Sequence, residues 1–492
     1  MRYFISVSAL LALSAVGFGQ KSFTDTLVKH QRHFSPMKQV RVPKLTVSRP
    51  VAMARTDELG RLVTGWTPIR YKARTRNSVT TWQVAFDAQD TDVATMNPFA
   101  GAYGTSSAGI GSVWVNSATY NSPGELLDIY LNPGGTTGPD THGRLAQNVR
   151  ILWQAGGASF TPVITLRCVG TFDTTGTGPA FANRKGGVAF QFAPVTAGFQ
   201  FPEIDFSAFV SGPNTVRGLE LPADDAGGFL YAISALDGTG NIIPIPAGSA
   251  ANPYMNNMMS PTDASFPGTN PSGSSDLNWD DDSPADYLFQ DETNTASPGP
   301  AYSELYSWDF GPTYGVLQPT VALFVDPAAR LIKGQLSLTG YSASPIARPR
   351  GFGYKLYQGT TLVDEGFAPI GDDFKYIIPD PNPSTPGVYT LIAQTHKYVA
   401  KKFTVDTTTG TTIPLNVVLP FTGDTNRDGV VNLVDFSFLS SAYGRRSTNA
   451  NWTDIISGTL TAADADFNFD GAVNLSDFSL LSTGYGKRDD LP

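Results

Sequence analysis

Two twelve-residue stretches near the end of this 492-residue chain hold the side chains best suited to chemistry. The first reads Asp424-Thr425-Asn426-Arg427-Asp428-Gly429-Val430-Val431-Asn432-Leu433-Val434-Asp435. The second, 42 residues on, reads Asp466-Phe467-Asn468-Phe469-Asp470-Gly471-Ala472-Val473-Asn474-Leu475-Ser476-Asp477. From 424 and 466 onward, 15 of 23 paired positions are identical. Calcium takes six to eight hard oxygens at about 2.3–2.6 Å, and a loop of this length offers them from positions 1, 3, 5, 7, 9 and 12. In the first loop these are Asp424, Asn426, Asp428, the Val430 carbonyl, Asn432 (directly or through water) and Asp435. In the second they are Asp466, Asn468, Asp470, the Ala472 carbonyl, Asn474 and Asp477. Gly429 and Gly471 fall at position 6, where the turn favours a residue without Cβ. Three carboxylates converge in each loop, and two charges 4 Å apart repel by roughly 1 to 4 kcal/mol depending on the effective dielectric. Two bound calcium ions are therefore expected, with metal binding driving the folding of the segment. An Asp/Asn-rich turn without metal could match the six positions once; a second match in register argues for the ion.

The elements that must position these loops are legible too. After each loop, Leu433, Phe436, Leu439 and Tyr443, and again Leu475, Phe478, Leu481 and Tyr485, recur at spacings of three and four before a glycine, which predicts two short helices packed through these faces. The segment before the first loop, Val418-Leu419-Pro420-Phe421-Thr422-Gly423, is not helical, and position 12 is Asp rather than Glu. Loop then helix, twice, with terminal Asp and a linker of about 20 residues, resembles the type I dockerin family over residues 423–488. The resemblance implies a calcium-dependent module that docks to cohesin domains, a cohesin-type partner, and company with enzymes or binding proteins for plant polysaccharide. Where that family commonly carries Ser/Thr-type recognition residues, just after position 9, this chain has Leu433-Val434 and Leu475-Ser476.

The rest of the chain reads as β. Glycine (49) and proline (36) are plentiful and charged residues make up 16%, a composition of strands and turns rather than helices. Between about 60 and 328, alternating segments such as Thr81-Trp82-Gln83-Val84-Ala85-Phe86 and Val188-Ala189-Phe190-Gln191-Phe192 are bounded by turn residues, which predicts a large β-sandwich or jelly roll. A second unit at 329–420, with Pro386-Gly387-Val388-Tyr389-Thr390-Leu391 near its end, resembles the carboxypeptidase-regulatory, transthyretin-like family of Ig-like sandwiches, implying a non-catalytic spacer. The fold class expected is mainly β, followed by a small α module of paired loop-helix units at 421–489. Ahead of these, residues 1–19 have the charged start, apolar run and small-residue exit of a signal peptide. Residues 20–59 read as a basic, Pro-punctuated linker with one strand at Gln39–Val47. A secreted protein, extracellular or at the cell surface, is expected, with no transmembrane segment in the mature chain. Through Arg76 there are 14 Lys/Arg against three acidic residues, whereas residues 81–329 hold six against 24. The acidic body argues against nucleic acid as a partner.

Candidates for catalysis are sparse. Glu203 and Asp205, in Phe201-Pro202-Glu203-Ile204-Asp205-Phe206-Ser207-Ala208, share a strand face and look like the start of the Glu-Ile-Asp-x-x-Glu strand of laminarinase-type jelly-roll glycosidases, but Ala208 stands where the second Glu belongs. A solvent-facing acidic strand edge is the expectation there. Cys168, the single cysteine, shares its alternating face with Ile164 and Leu166 and reads as core. The histidines (His30, His33, His142, His396) form no zinc or triad motif. Asp280-Asp281-Asp282 with Asp286 reads as a solvated loop, and Trp279 and Trp308 as sandwich residues rather than sugar platforms. The leading functional reading is a non-catalytic binding or surface protein linked to polysaccharide. A polysaccharide hydrolase with its site in residues 60–325 and a structural cell-envelope protein are the alternatives.

Overall fold

The computed structural model describes residues 47–57, 61–72, 82–87, 140–173, 180–223, 228–243, 321–342, 349–381 and 386–492. It also describes the backbone of strands at 38–40, 110–113, 123–128, 254–261, 287–291, 302–307 and 317–319. Residues 1–19, expected as a signal peptide, and His30, His33, Trp279, Trp308 and the acidic run Asp280 to Asp286 lie outside the described residues. No helix among the described residues is long and apolar enough to cross a membrane.

The chain is mainly β, with two α-helices among the described residues, both near the C-terminus. The N-terminal unit gathers its strands into sheets of ten, six and five. Its core is built where apolar residues alternate inward: Ile164, Leu166 and Cys168 of the long strand Pro162–Asp173 pack with Phe190, Phe206, Phe229 and Ile233. Cys168 is buried as expected, and burial pushes its thiol up to about 12, so it is no thiolate nucleophile. The strand expected at Gln39–Val47 appears as Lys38–Val40. The expected linker ends earlier than residue 59. Ala52–Arg55 is a strand of the ten-stranded sheet, paired with Val188–Gln191, and Ala52, Met53 and Ala54 are buried. Local composition around Arg49 and Arg55 suggested solvent, yet a run of four small or apolar residues before Arg55 is enough to fill a sheet position.

The second unit is two four-stranded sheets. Lys375–Pro379, Leu331–Leu338, Thr412–Pro414 and Val417–Leu419 form one; Thr361–Pro369, Gly351–Gln358, Val388–Gln394 and Lys401–Asp406 form the other. Ile332, Leu336, Phe352, Leu356, Ile378, Leu391 and Val405 fill the space between them. The third unit begins on strand Thr422–Asp424, which pairs with Lys397–Tyr398 of the second. Phe469, from the second acidic loop, belongs to the sandwich core, and Val399, from the sandwich, belongs to the core beneath the helices. The second and third units therefore share apolar interiors across their boundary.

Candidate metal centre and docking face

Each acidic loop is closed by its own carboxylates. Asp424 Oδ1 accepts from the Asp428 N–H at 3.1 Å and its Oδ2 from the Gly429 N–H at 3.1 Å. Asp435 Oδ1 accepts from the N–H groups of Thr425 (2.8 Å) and Asn426 (3.3 Å), and its Oδ2 from Asn432 (2.9 Å). The second loop repeats this. Asp466 accepts from Asp470 and Gly471, and Asp477 from Phe467, Asn468 and Asn474. Gly429 and Gly471 both sit at φ +82°, left-handed backbone that glycine adopts without strain. A carboxylate ends the loop and also begins a helix. Asn432 caps helix α1 (Leu433–Ala442) and Asn474 caps helix α2 (Leu475–Gly484), each completing a capping box with the Asp at position 12.

The donor ends named from the sequence are brought together in both loops. Asn426 Nδ2 lies 2.9 Å from Asp428 Oδ2, and Asn432 Nδ2 lies 3.4 Å from that oxygen and 3.2 Å from the Val430 carbonyl. Asn468, Asp470, Ala472 and Asn474 repeat the pattern at 2.9, 3.4 and 3.4 Å. Carboxamide, carboxylate and carbonyl thus converge at the separations that oxygens around one hard cation adopt, and the Asn426 and Asn468 Oδ1 atoms accept from the Asp428 and Asp470 N–H groups at 3.0 and 3.1 Å. Asn432 and Asn474 do likewise, each Oδ1 accepting from the helix N–H two residues on at 2.7 Å and so capping its helix. Among the described residues no three His, Cys, Asp or Glu side chains form a metal cluster by themselves, and the donor set of each loop is half amide and carbonyl. Burial, with Asp435, Asp428 and Asp489 nearby, pushes the Asp424 carboxyl up to about 6 despite the Gly429 N–H. Burial with Asp466 nearby pushes Asp477 up to about 6. Burial likewise raises Asp435 and Asp466. Negative charge is costly in both loops, and a cation would relieve it.

The two repeats are interlocked. Residues following α1 pair with the second loop, through Gly444 N–H to Val473 O (2.8 Å) and Ser447 N–H to Gly471 O (2.8 Å). Residues following α2 pair with the first, through Gly486 N–H to Val431 O (2.8 Å) and Asp489 N–H to Gly429 O (2.9 Å). Neither repeat is complete without the other.

The helix faces differ from the expectation. Of the residues expected to pack together, only Leu439 and Leu481 are buried. Leu433 is 63% exposed and Leu475 65%, while Val434, Tyr443 and Tyr485 are also exposed, and Phe436 meets Phe478 edge-to-face at the surface with ring centroids 6.1 Å apart. The inward side is Phe438, Leu439 and Ala442, packed with Val431, Val473 and Phe467 from the loops. Helices of ten residues are aimed by their caps and by the loop valines, and periodicity alone does not tell an inward stripe from an outward one.

Residues 422–483 match the family model of the dockerin type I domain. This segment is a type I dockerin module. Dockerin domains generally bind calcium, and proteins that carry them are typically extracellular or at the cell surface. Among solved structures, the chain is similar to one in a type II cohesin–X–dockerin complex from Acetivibrio cellulolyticus, at 21% identity over 32% of this chain and 97% of that one, with a TM-score of 0.26. It is also similar to the major pilin SpaA of Corynebacterium diphtheriae (9% identity, 64% of this chain and 81% of that one, TM-score 0.14). The Bacillus anthracis TIE protein aligns at 8% identity over 71% of this chain and 42% of that one, with a TM-score of 0.13. None of these likenesses is close enough to bear on the units before the dockerin module. No curated protein matches the chain.

Away from the dockerin module, the acidic pair of the large unit is not a solvent-facing edge. Glu203 is buried, with Oε1 accepting from Arg150 Nη2 (2.5 Å), Arg150 Nε (3.1 Å) and Asn148 Nδ2 (3.1 Å). Burial would raise its carboxyl, and the Arg150 guanidinium with these bonds brings it below the usual value. Asp205 caps the short turn Phe206–Ala208, and burial raises it. The alternating pattern placed both residues on one face correctly, but the arginine that fills that face comes from strand Leu145–Ile151, far off in sequence. Glu203→Ala should cost about 3–5 kcal/mol at pH 7, because it strips a buried guanidinium of its carboxylate. A depressed carboxyl contributes stability above its unfolded value of about 4.3 and loses it as pH falls through the folded value. The melting gap between wild type and variant should therefore close below about pH 4; a gap constant with pH would rule the ion pair out as its source. His142 is a turn residue paired to Asp140 at 2.6 Å, and His396 pairs to Asp464 at 2.9 Å.

Proposed function

We propose that this is a secreted modular protein whose dockerin module holds two calcium ions and docks a cohesin-type partner. The large β unit is its cargo, a non-catalytic binding unit for polysaccharide. In this reading Asp424, Asn426, Asp428, the Val430 carbonyl and Asp435 hold the first ion, with Asn432 acting directly or through water. Asp466, Asn468, Asp470, the Ala472 carbonyl and Asp477 hold the second, with Asn474 acting likewise. The observation that carries the docking reading is the apolar face left bare in the same places on both helices: Leu433, Val434, Phe436 and Tyr443, and Leu475, Phe478 and Tyr485. Contiguous exposed apolar surface of this kind marks an interaction site. Leucine and valine just after position 9 of the loops (Leu433, Val434, Leu475) make recognition here apolar, where Ser/Thr side chains would make it polar. The polysaccharide assignment is supported by the company that dockerin modules keep. The pairing of Glu203 with Arg150 favours a structural role for that carboxylate over an acid/base one.

The test is binding of the full chain to a panel of cohesin modules by calorimetry. Binding in calcium is expected, with loss in chelator. Leu433→Asp with Leu475→Asp should weaken it by about tenfold or more while shifting stability by only about 0.5 kcal/mol, since both sites are exposed. A panel without a binder would sink the docking reading. For the cargo, retention on insoluble polysaccharide without release of reducing sugar is expected; sugar release would favour a hydrolase.

A further inference from the structure

The two loops offer the same ligands, yet the charges set around them differ. Beside the first, Asp489 follows α2 and lies against the loop, its Oδ2 placed 2.8 Å from where a Cβ on Gly429 would stand. Asp489 keeps an otherwise ordinary set of partners, accepting from the Ala400 N–H at 2.6 Å and from Gln394 Nε2 at 3.5 Å. The residue 42 positions earlier, in the same place beside the second loop, is Ser447, with its Oγ 2.8 Å from the equivalent point on Gly471. The second loop has a cation instead. Lys397, from the sandwich strand Lys397–Tyr398, is buried beneath it, donates from Nζ to the Asp466 carbonyl oxygen, and lies 3.9 Å over the Phe469 ring. Asp466, Asp464 and Asp477 all act on its charge. Lys397 also holds φ +73°, left-handed backbone that a lysine keeps only when its surroundings demand it. Arg427, position 4 of the first loop, is exposed and turned to His396, and Asp464, beside the second loop, pairs with the other side of that ring. The first loop thus carries four carboxylates (Asp424, Asp428, Asp435, Asp489) and a solvent-facing guanidinium. The second carries three (Asp466, Asp470, Asp477), with Asp464 next to them, and one buried ammonium.

We infer that the two sites differ in calcium affinity by design of their surroundings: the first loop fills first, and Lys397 acts as a built-in counter-cation that weakens the second. Affinity in such loops follows the count of ligand charges and the rigidity of the site. An ammonium that already answers the carboxylates repels the incoming ion. Lys397 is a positioning residue in this scheme and touches no ion.

This inference rests on the calcium reading above, and the experiment separates the two. Calcium titrations by calorimetry on the full chain would use Asp470→Ala to leave only the first loop and Asp428→Ala to leave only the second. The first-loop protein should bind about tenfold or more tighter than the second-loop protein. Adding Lys397→Met to the second-loop protein should close most of that gap, and Lys397→Arg should restore it. Adding Asp489→Asn to the first-loop protein, a change that keeps its hydrogen-bond acceptor, should weaken binding, and this arm stands even where Lys397→Met lowers the melting temperature. Equal affinities in the two single-loop proteins, or a gap that neither Lys397→Met nor Asp489→Asn moves, would overturn the inference. Binding by neither protein would sink the calcium reading itself.

Discussion

Chelating calcium from the full chain should lower the melting temperature of the C-terminal half and unsettle the sandwich before the dockerin module as well as the module itself. A ligand that binds only the folded state stabilises it by about 4 kcal/mol per site at a thousandfold excess over its Kd. Without the ion, Asp424 and Asp477 stay in places where burial has already pushed each up to about 6. The effect should spread because each loop is pinned by the tail of the other repeat, as in the pairs Gly444–Val473 and Gly486–Val431. It should spread further because Phe469 and Val399 each sit in the neighbouring unit's core. Calorimetric scans with and without chelator, and hydrogen exchange on the strand Val388–Gln394, measure the two parts. The loss should be absent in Asp428→Ala with Asp470→Ala, whose melting should already match the chelated wild type. A melting temperature indifferent to chelator would remove calcium from the account of this fold.

Phe469→Ala should cost about 3–5 kcal/mol, the range for emptying a buried aromatic position, and should do so with calcium saturating. Phe469 occupies position 4 of the second loop at φ +61°, a conformation unfavourable for a bulky side chain. It is held there by the sandwich, with its ring against Tyr341 (5.8 Å between centroids) and under the Lys397 ammonium. Arg427, its counterpart in the first loop, holds the same backbone at φ +60° with its side chain exposed and beside His396. Arg427→Ala should therefore shift stability by about 0.5 kcal/mol. Chemical denaturation of the two variants in calcium measures the contrast. Similar losses for both would mean that position 4 acts through the loop alone and not through the sandwich.

The two acidic loops and the strand-rich character were legible in the sequence because both are local. Six oxygen donors at fixed spacing and a glycine at position 6 define a loop without reference to anything distant, and alternation marks strands such as Val188–Gln191 wherever they pair. Asn432 and Asn474 as caps, and Asp435 and Asp477 closing a box onto them, follow from the same short-range spacing. The orientation of the helices was not local. Leu433, Phe436, Tyr443 and their repeats have the period of a buried stripe, and only the loop valines Val431 and Val473, seated beneath Leu439 and Leu481, decide that this stripe faces outward. The same holds for Ala52–Arg55, whose place in the ten-stranded sheet depends on a partner strand more than 130 residues away. Glu203 read as part of a solvent-facing acidic edge, and only the fold brings Arg150 and Asn148 to it from another strand. Lys397 had no signal of its own, since a lysine within the second unit becomes the counter-charge of a loop 69 residues on only when the two units fold against each other. Spacing along the chain was enough to mark twelve residues as candidate ligands of an ion. Long-range packing decided which of their neighbours share its field, because burial and charge proximity are properties of contacts that spacing along the chain does not encode.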